Sequence, residues 1–317
     1  MHNIRLPMCA IGLAALVSMA ASPLMANPPA GWQVVFSDDF NGTSLDTSKW
    51  STSMEFPGTH GPRYHNEFYL SYTLDEDVVV ADGQLHLRTE RRMVSGEEPI
   101  GLFDYSQGLV STRDHYTFTY GYVEIRAKYP GGKGMWPCFW LMPQDETAWP
   151  PEFDIAEYYG GQQKMHHGLA HGTMSETQWD SSGDTETDFV NDWHTIGLEW
   201  TEGRAVWSVD GIPRKTILAD YVPRVPMYVI LSNSVGSVKS PAGTPNEATV
   251  FPNDFAIDYI RIYQPAAPTG TQLVKADPAA PSIPVPTPAP MAKPPTPPPA
   301  PSTETKPVIA ILPSPLP

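Results

Sequence analysis

The sequence predicts an all-β fold of two packed antiparallel sheets, and three observations carry that expectation. Short runs alternate apolar and polar residues with a period of two, as strands with one buried face do. Dipeptides suited to tight turns, Asp82-Gly83, Gly131-Gly132 and Asp210-Gly211, separate those runs. No stretch keeps a helical stripe beyond a turn or two, and the strand–helix–strand rhythm of a parallel sheet is missing.

Residues 1–26 read as a secretory signal peptide rather than as fold. Arg5 precedes the apolar run Ile11-Gly-Leu-Ala-Ala-Leu-Val17, and small residues then lead to a cleavage point at Ala26. That run is too short to span a bilayer, so no transmembrane segment is expected. The expected location is secreted, either extracellular or periplasmic. Loss of Cys9 with this leader leaves Cys138 alone, so no intrachain disulfide is expected and the core must supply stability.

Residues 27–264 are enough for one domain with a substantial core. The period-two runs within it include Val78-Val-Val80, Leu85-His-Leu-Arg88, Val123-Glu-Ile-Arg-Ala-Lys128 and Ala205-Val-Trp-Ser-Val209. Of nine tryptophans, Trp50, Trp193 and Trp207 are assigned to the core. The chain carries a net charge of −15, and both ends are slightly basic, so the domain itself is more acidic still. Such a surface repels polyanions and argues against nucleic acid as a partner. A monomer is expected.

Residues 265–317 hold half of the chain's 36 prolines. Proline lacks the amide donor that helices and sheets need, so this segment reads as a disordered linker or tail, with tethering to a surface as one use.

The segment that carries chemistry is Trp149-Pro-Pro-Glu-Phe-Asp-Ile-Ala-Glu157. On a regular strand Glu152 and Asp154 share a face, whereas Glu157, five positions after Glu152, points the other way. One extra residue, a β-bulge at Ile155–Ala156, returns Glu157 to the face of the other two and leaves Phe153 in the core. Three neighbouring acids are electrostatically costly, yet glycoside hydrolysis needs this arrangement. One carboxylate must stay ionised as nucleophile and another must hold a proton, and neighbouring charge drives their pKa values apart. A calcium site would draw on loop carbonyls instead of acids spaced by apolar residues in strand rhythm.

Glu152-Phe-Asp-Ile-Ala-Glu157 resembles the Glu-x-Asp-x-x-Glu signature of glycoside hydrolase family 16, in its bulge-containing branch. Gly134-Met-Trp-Pro-Cys-Phe-Trp-Leu-Met-Pro143, Tyr120-Gly-Tyr-Val-Glu-Ile-Arg-Ala-Lys128 and Phe255-Ala-Ile-Asp-Tyr-Ile-Arg-Ile-Tyr263 resemble three further strands of that family. The likeness runs from about Val35 to Gln264. It implies a β-jelly-roll sandwich with a concave cleft for endo-acting cleavage. It also implies Glu152 as nucleophile, Glu157 as acid/base and Asp154 as the assisting carboxylate, with no cofactor required for the chemistry.

Substrate contacts follow from alternation along the strands and, for Asn66, His171 and the cleft side of the tryptophan face, from the same resemblance. Trp136, Cys138 and Trp140 share a face, so the two indoles are expected to stack on sugar, with Cys138 as a small filler. Arg126, which shares a face with Glu124 and Lys128, is the expected sugar-binding member of its strand. Asn66 resembles a donor-subsite asparagine. Among His166, His167 and His171, the last resembles a histidine that bonds sugar beside the acid/base, and the other two are expected to be structural. Asp258 aligns with a position that binds a structural calcium in some relatives.

The expected substrate is a polysaccharide, first a laminarin-type β-1,3-glucan and next a mixed-linkage β-1,3-1,4-glucan. Red-algal galactans, transglycosylation of a cell glycan and a non-catalytic sugar-binding module are the alternatives. Gly160–Lys164 and Thr173–Asp188 are expected to be loops that set this choice.

Overall fold

The computed structural model describes residues 28–54, 66–145 and 148–266. The leader at 1–26 and nearly all of the tail at 265–317 lie outside the described residues. The described chain forms eighteen strands. In order these begin with β1 Trp32–Asp38, β2 Ser71–Thr73, β3 Val78–Ala81, β4 Gln84–Glu90, β5 Val94–Glu97 and β6 Ile100–Phe103. Next come β7 Tyr105–Gln107, β8 Leu109–Ser111, β9 Gly121–Lys128, β10 Met135–Pro143, β11 Glu152–Tyr159 and β12 Lys164–Thr173. The last six are β13 Glu176–Asp184, β14 His194–Thr201, β15 Arg204–Val209, β16 Ile212–Leu218, β17 Met227–Val235 and β18 Asn253–Pro265. Among the described residues no helix is long and apolar enough to cross a membrane.

Two large sheets account for sixteen of these strands. One runs β16-β15-β14-β9-β18-β4-β7-β2, with β1 added beside β18 and β3 beside β4. The other runs β13-β12-β11-β10-β17-β8. Except for the parallel pair β2–β7, neighbours are antiparallel. Strands β5 and β6 form a separate hairpin.

Alternation along the strands builds the core between the sheets. Val123, Ile125 and Ala127 of β9 point inward from one sheet, and Phe139, Leu141, Phe153 and Leu169 meet them from the other. Phe153 packs edge-on against both Trp200 and Trp207, which tie β11 to β14 and β15 of the opposite sheet. Each such ring, fully removed from water, stabilises the sandwich by about 1.5–3 kcal/mol. Trp50 and Trp207 are buried as expected, whereas Trp193 is only half-buried and lies under the Arg126 guanidinium.

The expectation for Thr173–Asp188 is corrected. Most of that stretch is β13, an edge strand paired with β12 along its full length. Its polar composition masks a strand because an edge strand with much of both faces open to water needs little apolar alternation.

Candidate active site

The carboxylates are brought together by a slip in strand register. Against β12, Asp154 stands opposite Gly168 and Glu157 opposite His166, so Ile155 and Ala156 share the single partner position of His167. The same slip appears against β10, where Phe139 faces Ala156 and Trp140 faces Asp154. This is the bulge expected from the five-residue spacing. Phe153, Ile155 and Ala156 are buried in the core, while Glu152, Asp154 and Glu157 line a cavity of about 660 Å³ on the other face.

Five segments complete the cavity. Strand β10 contributes Trp136, Cys138 and Trp140, β12 contributes His166 and Gly168, and β13 contributes Trp179 and Ser181. Residues 66–69 and Trp149 close two sides. Gly168 leaves room for Asp154, since a Cβ there would stand 3.0 Å from its carboxylate oxygen and crowd it.

Neutral donors hold the two glutamates. The indole N–H of Trp149 donates to Glu152 Oε2 at 2.7 Å. Glu157 receives one bond on each oxygen, from the Trp136 indole at 2.8 Å and from the Tyr159 hydroxyl at 2.7 Å. A side-chain hydrogen bond joins Asp154 to Glu152.

Burial dominates the electrostatics. It pushes Glu152 up to about 7, against the pull of the Trp149 donor and with some help from the charge on Glu157. Asp154 is raised well above the carboxylate range, first by burial and then by the charges of Glu152 and Glu157. Both effects favour a proton on Asp154, in the hydrogen bond it makes with Glu152. Glu157 is raised by burial, and its donors Tyr159 and Trp136 pull it back down. Cys138, directly opposite Glu157, has its thiol pushed well up by burial and by the three acids, so it is a neutral filler.

Of the expected substrate residues, Asn66, Trp136 and Trp140 lie on the cavity wall. Trp136 is more than a stacking platform, because its N–H orients Glu157. Two others require correction. Arg126 belongs to β9 in the other sheet, where it pairs with Asp258 at 2.7 Å and sits over the Trp193 ring. Alternation gave its outward direction but not which sheet it would leave from. His171 is also off the cavity wall. The cleft-facing positions of β12 are 166, 168 and 170, opposite 157, 154 and 152, so His171 alternates away and stacks on Tyr221 at 4.0 Å.

The histidine beside the acid pair is His166, whose ring lies 4.6 Å from that of Tyr159 and which burial brings down to about 4. His166, expected to be structural, thus lines the cavity, as do Trp149, Tyr159 and Trp179, which the sequence reading leaves without a role. Tyr159 follows Glu157 at the two-residue spacing that shares a face, a signal that was available.

Asp258, the position expected to hold a structural calcium, pairs with Arg126 at 2.7 Å.

Comparison with known proteins places this geometry in context. Residues 64–261 match the model of the glycosyl hydrolases family 16. The chain is 30% identical over 263 residues to glucan endo-1,3-beta-glucosidase A1 of Niallia circulans, covering 74% of this chain and 38% of that protein. An endo-1,3-1,4-beta-glycanase of Rhizobium meliloti is 29% identical over 242 residues, covering 72% and 51%. The chain thus spans about half or less of the length of these curated relatives. Among solved structures, the catalytic domain of an endo-1,3-beta-glucanase (laminarinase) from Thermotoga petrophila is 30% identical with a TM-score of 0.65, covering 74% of this chain and 99% of that one. With its three carboxyls set on one face by a register slip, and with this match across most of the sandwich, the chain belongs to glycosyl hydrolase family 16.

Proposed function

We propose that this chain is a secreted, endo-acting β-glucan hydrolase that cleaves with retention of configuration. Its substrate is a laminarin-type β-1,3-glucan or a mixed-linkage β-1,3-1,4-glucan. The observation that carries this reading is the bulge that sets Glu152, Asp154 and Glu157 along one cavity wall. The names of the similar proteins, acting on 1,3- and 1,3-1,4-linked glucans, support the substrate class.

The chemistry is a double displacement. Glu152 attacks the anomeric carbon as Glu157 gives its proton to the departing glycosidic oxygen, which leaves as a free sugar hydroxyl. A covalent glycosyl-enzyme on Glu152 results. Glu157, now ionised, takes a proton from water, and that water displaces Glu152 to restore both groups. Asp154 supplies a hydrogen bond to Glu152 that steadies its developing charge as the intermediate breaks down. Burial raises the proton affinity of Glu157, which favours its acting as acid in the first step, and the Trp136 and Tyr159 donors help it accept charge for the second.

A panel of polysaccharides assayed for new reducing ends tests the substrate, and NMR of the first product formed tests the stereochemistry. Chain shortening of a β-1,3- or β-1,3-1,4-glucan with a β-configured first product is expected. An α-configured first product would refute retention, and release only from a galactan would refute the substrate. Recovery of the mature protein from outside the cytoplasm, beginning at Asn27, would bear on secretion.

A further inference from the structure

A bulge breaks the hydrogen-bond ladder of its own strand, so its carbonyls need other donors. Two side chains supply them here. His167 occupies the β12 position opposite the two bulged residues, and its Nδ1 lies 2.6 Å from the carbonyl oxygen of Ile155. A carbonyl can only accept, so Nδ1 carries the proton and donates. The indole N–H of Trp207, from the opposite sheet, donates to the carbonyl of Asp154 at 3.0 Å. Both donors are fully buried, and neither touches the cleft.

The two bonds fall on consecutive carbonyls, those of Asp154 and Ile155, at the place where the register changes. One comes from the neighbouring strand and the other from across the core, so the strand cannot slide or roll at this point without losing one of them. We propose that His167 and Trp207 are positioning residues for the reaction: they clamp the bulge that turns Glu157 into line with Glu152. This rests on the reading of Glu152 and Glu157 as the reacting pair.

The ring of His167 suits the task. Burial lowers its affinity for a second proton, so it stays neutral with one N–H to give. Its Nε2 has no hydrogen-bond partner among the described residues, a cost that a side chain serving only to fill space would avoid. A histidine at this place is therefore explained by its donor rather than by its volume. Leucine would fill much of the space and leave the Ile155 carbonyl buried without a donor.

The test compares His167→Leu, His167→Asn and Trp207→Phe with the unaltered protein on β-glucan and on an aryl β-laminaribioside with a dinitrophenolate leaving group. Azide is the diagnostic addition. It attacks the glycosyl-enzyme without needing a base, so it rescues an enzyme whose Glu157 is misplaced but whose Glu152 is intact. His167→Leu should lose roughly 100-fold in kcat on β-glucan, as a displacement of about an ångström does, with KM nearly unchanged. On the aryl glycoside its turnover should rise with azide and yield the β-glycosyl azide. His167→Asn, which keeps an N–H of similar reach, should recover most of the loss, and Trp207→Phe should repeat the azide response more weakly.

Wild-type kcat in folded His167→Leu would overturn the clamp. So would losses that follow the folded fraction with no azide rescue, or His167→Asn doing no better than His167→Leu in folding or turnover. Failure of the unaltered protein to cleave any β-glucan would overturn the functional reading and the clamp together, whereas normal wild-type turnover with indifferent variants would overturn the clamp alone.

Discussion

Strands β9 and β11 both alternate charged with apolar residues, and both turn the apolar set into the shared core. Their outward faces differ in how charge is met. Beside β9, Arg126 is paired with Asp258, and on the same sheet Arg88 pairs with Asp254 and Arg261 with Asp39, each within 2.9 Å. On β11, the described residues bring no cation into ion-pair reach of Glu152, Asp154 or Glu157. Their partners are two indoles, a phenol and one another. A neutral donor orients a carboxylate without cancelling its charge, so burial keeps its proton affinity high. Outward charges with counter-ions are structural here. Glu124 of β9 is also buried, against tyrosine hydroxyls and away from the cavity, so the β11 acids are marked for chemistry by lining the cleft as well as by lacking a counter-ion.

The hardest way to break that contrast is to neutralise β11. Glu152→Gln should cost roughly 10⁴-fold or more in turnover of a polysaccharide, since no nucleophile remains. Glu157→Gln should cost about 10²–10⁴-fold on the same substrate and far less on one whose leaving group needs no protonation. Each change leaves a crowded, buried cluster with one carboxyl fewer to ionise, so melting temperature should hold or rise. Turnover at the wild-type rate in either variant would remove the residue from the mechanism.

This contrast was only half legible in the sequence. The five-residue spacing from Glu152 to Glu157 required a slip, because period-two alternation cannot otherwise place both on one face, and the slip lies where it was expected. Local spacing therefore sufficed for β11. Arg126 and His171 failed for a non-local reason. Alternation says that Arg126 leaves the core, but both sheets have an outer face, and only pairing decides which one holds the cleft. His171 depended on the register of β12 against β11, which is set by where the bulge falls on the partner strand. Trp179 was hidden for the same reason, since β13 reads as a polar loop until its pairing puts position 179 opposite Ala170.

A milder change tests whether neutral donors tune Glu157. Tyr159→Phe removes a hydroxyl that stabilises the ionised form, so Glu157 should keep its proton to higher pH. Because Glu157 must be protonated to expel the leaving group, the basic limb of kcat/KM should move upward. Loss of a hydrogen bond to a charged group should also lower kcat roughly tenfold. A basic limb that moves downward or stays in place would mean that Tyr159 does not govern this proton.

Smaller still is the effect expected of Trp179. Its ring is 51% exposed on the cleft wall, two strands or about 10 Å from β11, so it can stack on sugar away from the scissile bond. Trp179→Ala should raise KM roughly three- to tenfold, equivalent to about 0.7–1.4 kcal/mol, with kcat and melting temperature little changed. A fall in kcat at constant KM would contradict a binding role.

The smallest effect on activity is expected on β9, at the residue whose alternation resembled that of a sugar ligand. The Arg126–Asp258 pair is about a third exposed, which limits it to about 0.2–1 kcal/mol. The guanidinium over Trp193 adds about 0.5–1 kcal/mol at a site of this exposure. Arg126→Ala should therefore destabilise the domain by about 1–2 kcal/mol, a fall of roughly 2–8 °C in melting temperature for a domain of this size. Turnover and oligosaccharide affinity should stay within about twofold of wild type, because Arg126 leaves the sandwich from the sheet that lacks the cleft. Calorimetry beside kinetics on one preparation separates the two quantities. Unchanged melting with weakened sugar binding would place Arg126 in the substrate's path and would show that a charge met by a counter-ion can still serve the chemistry.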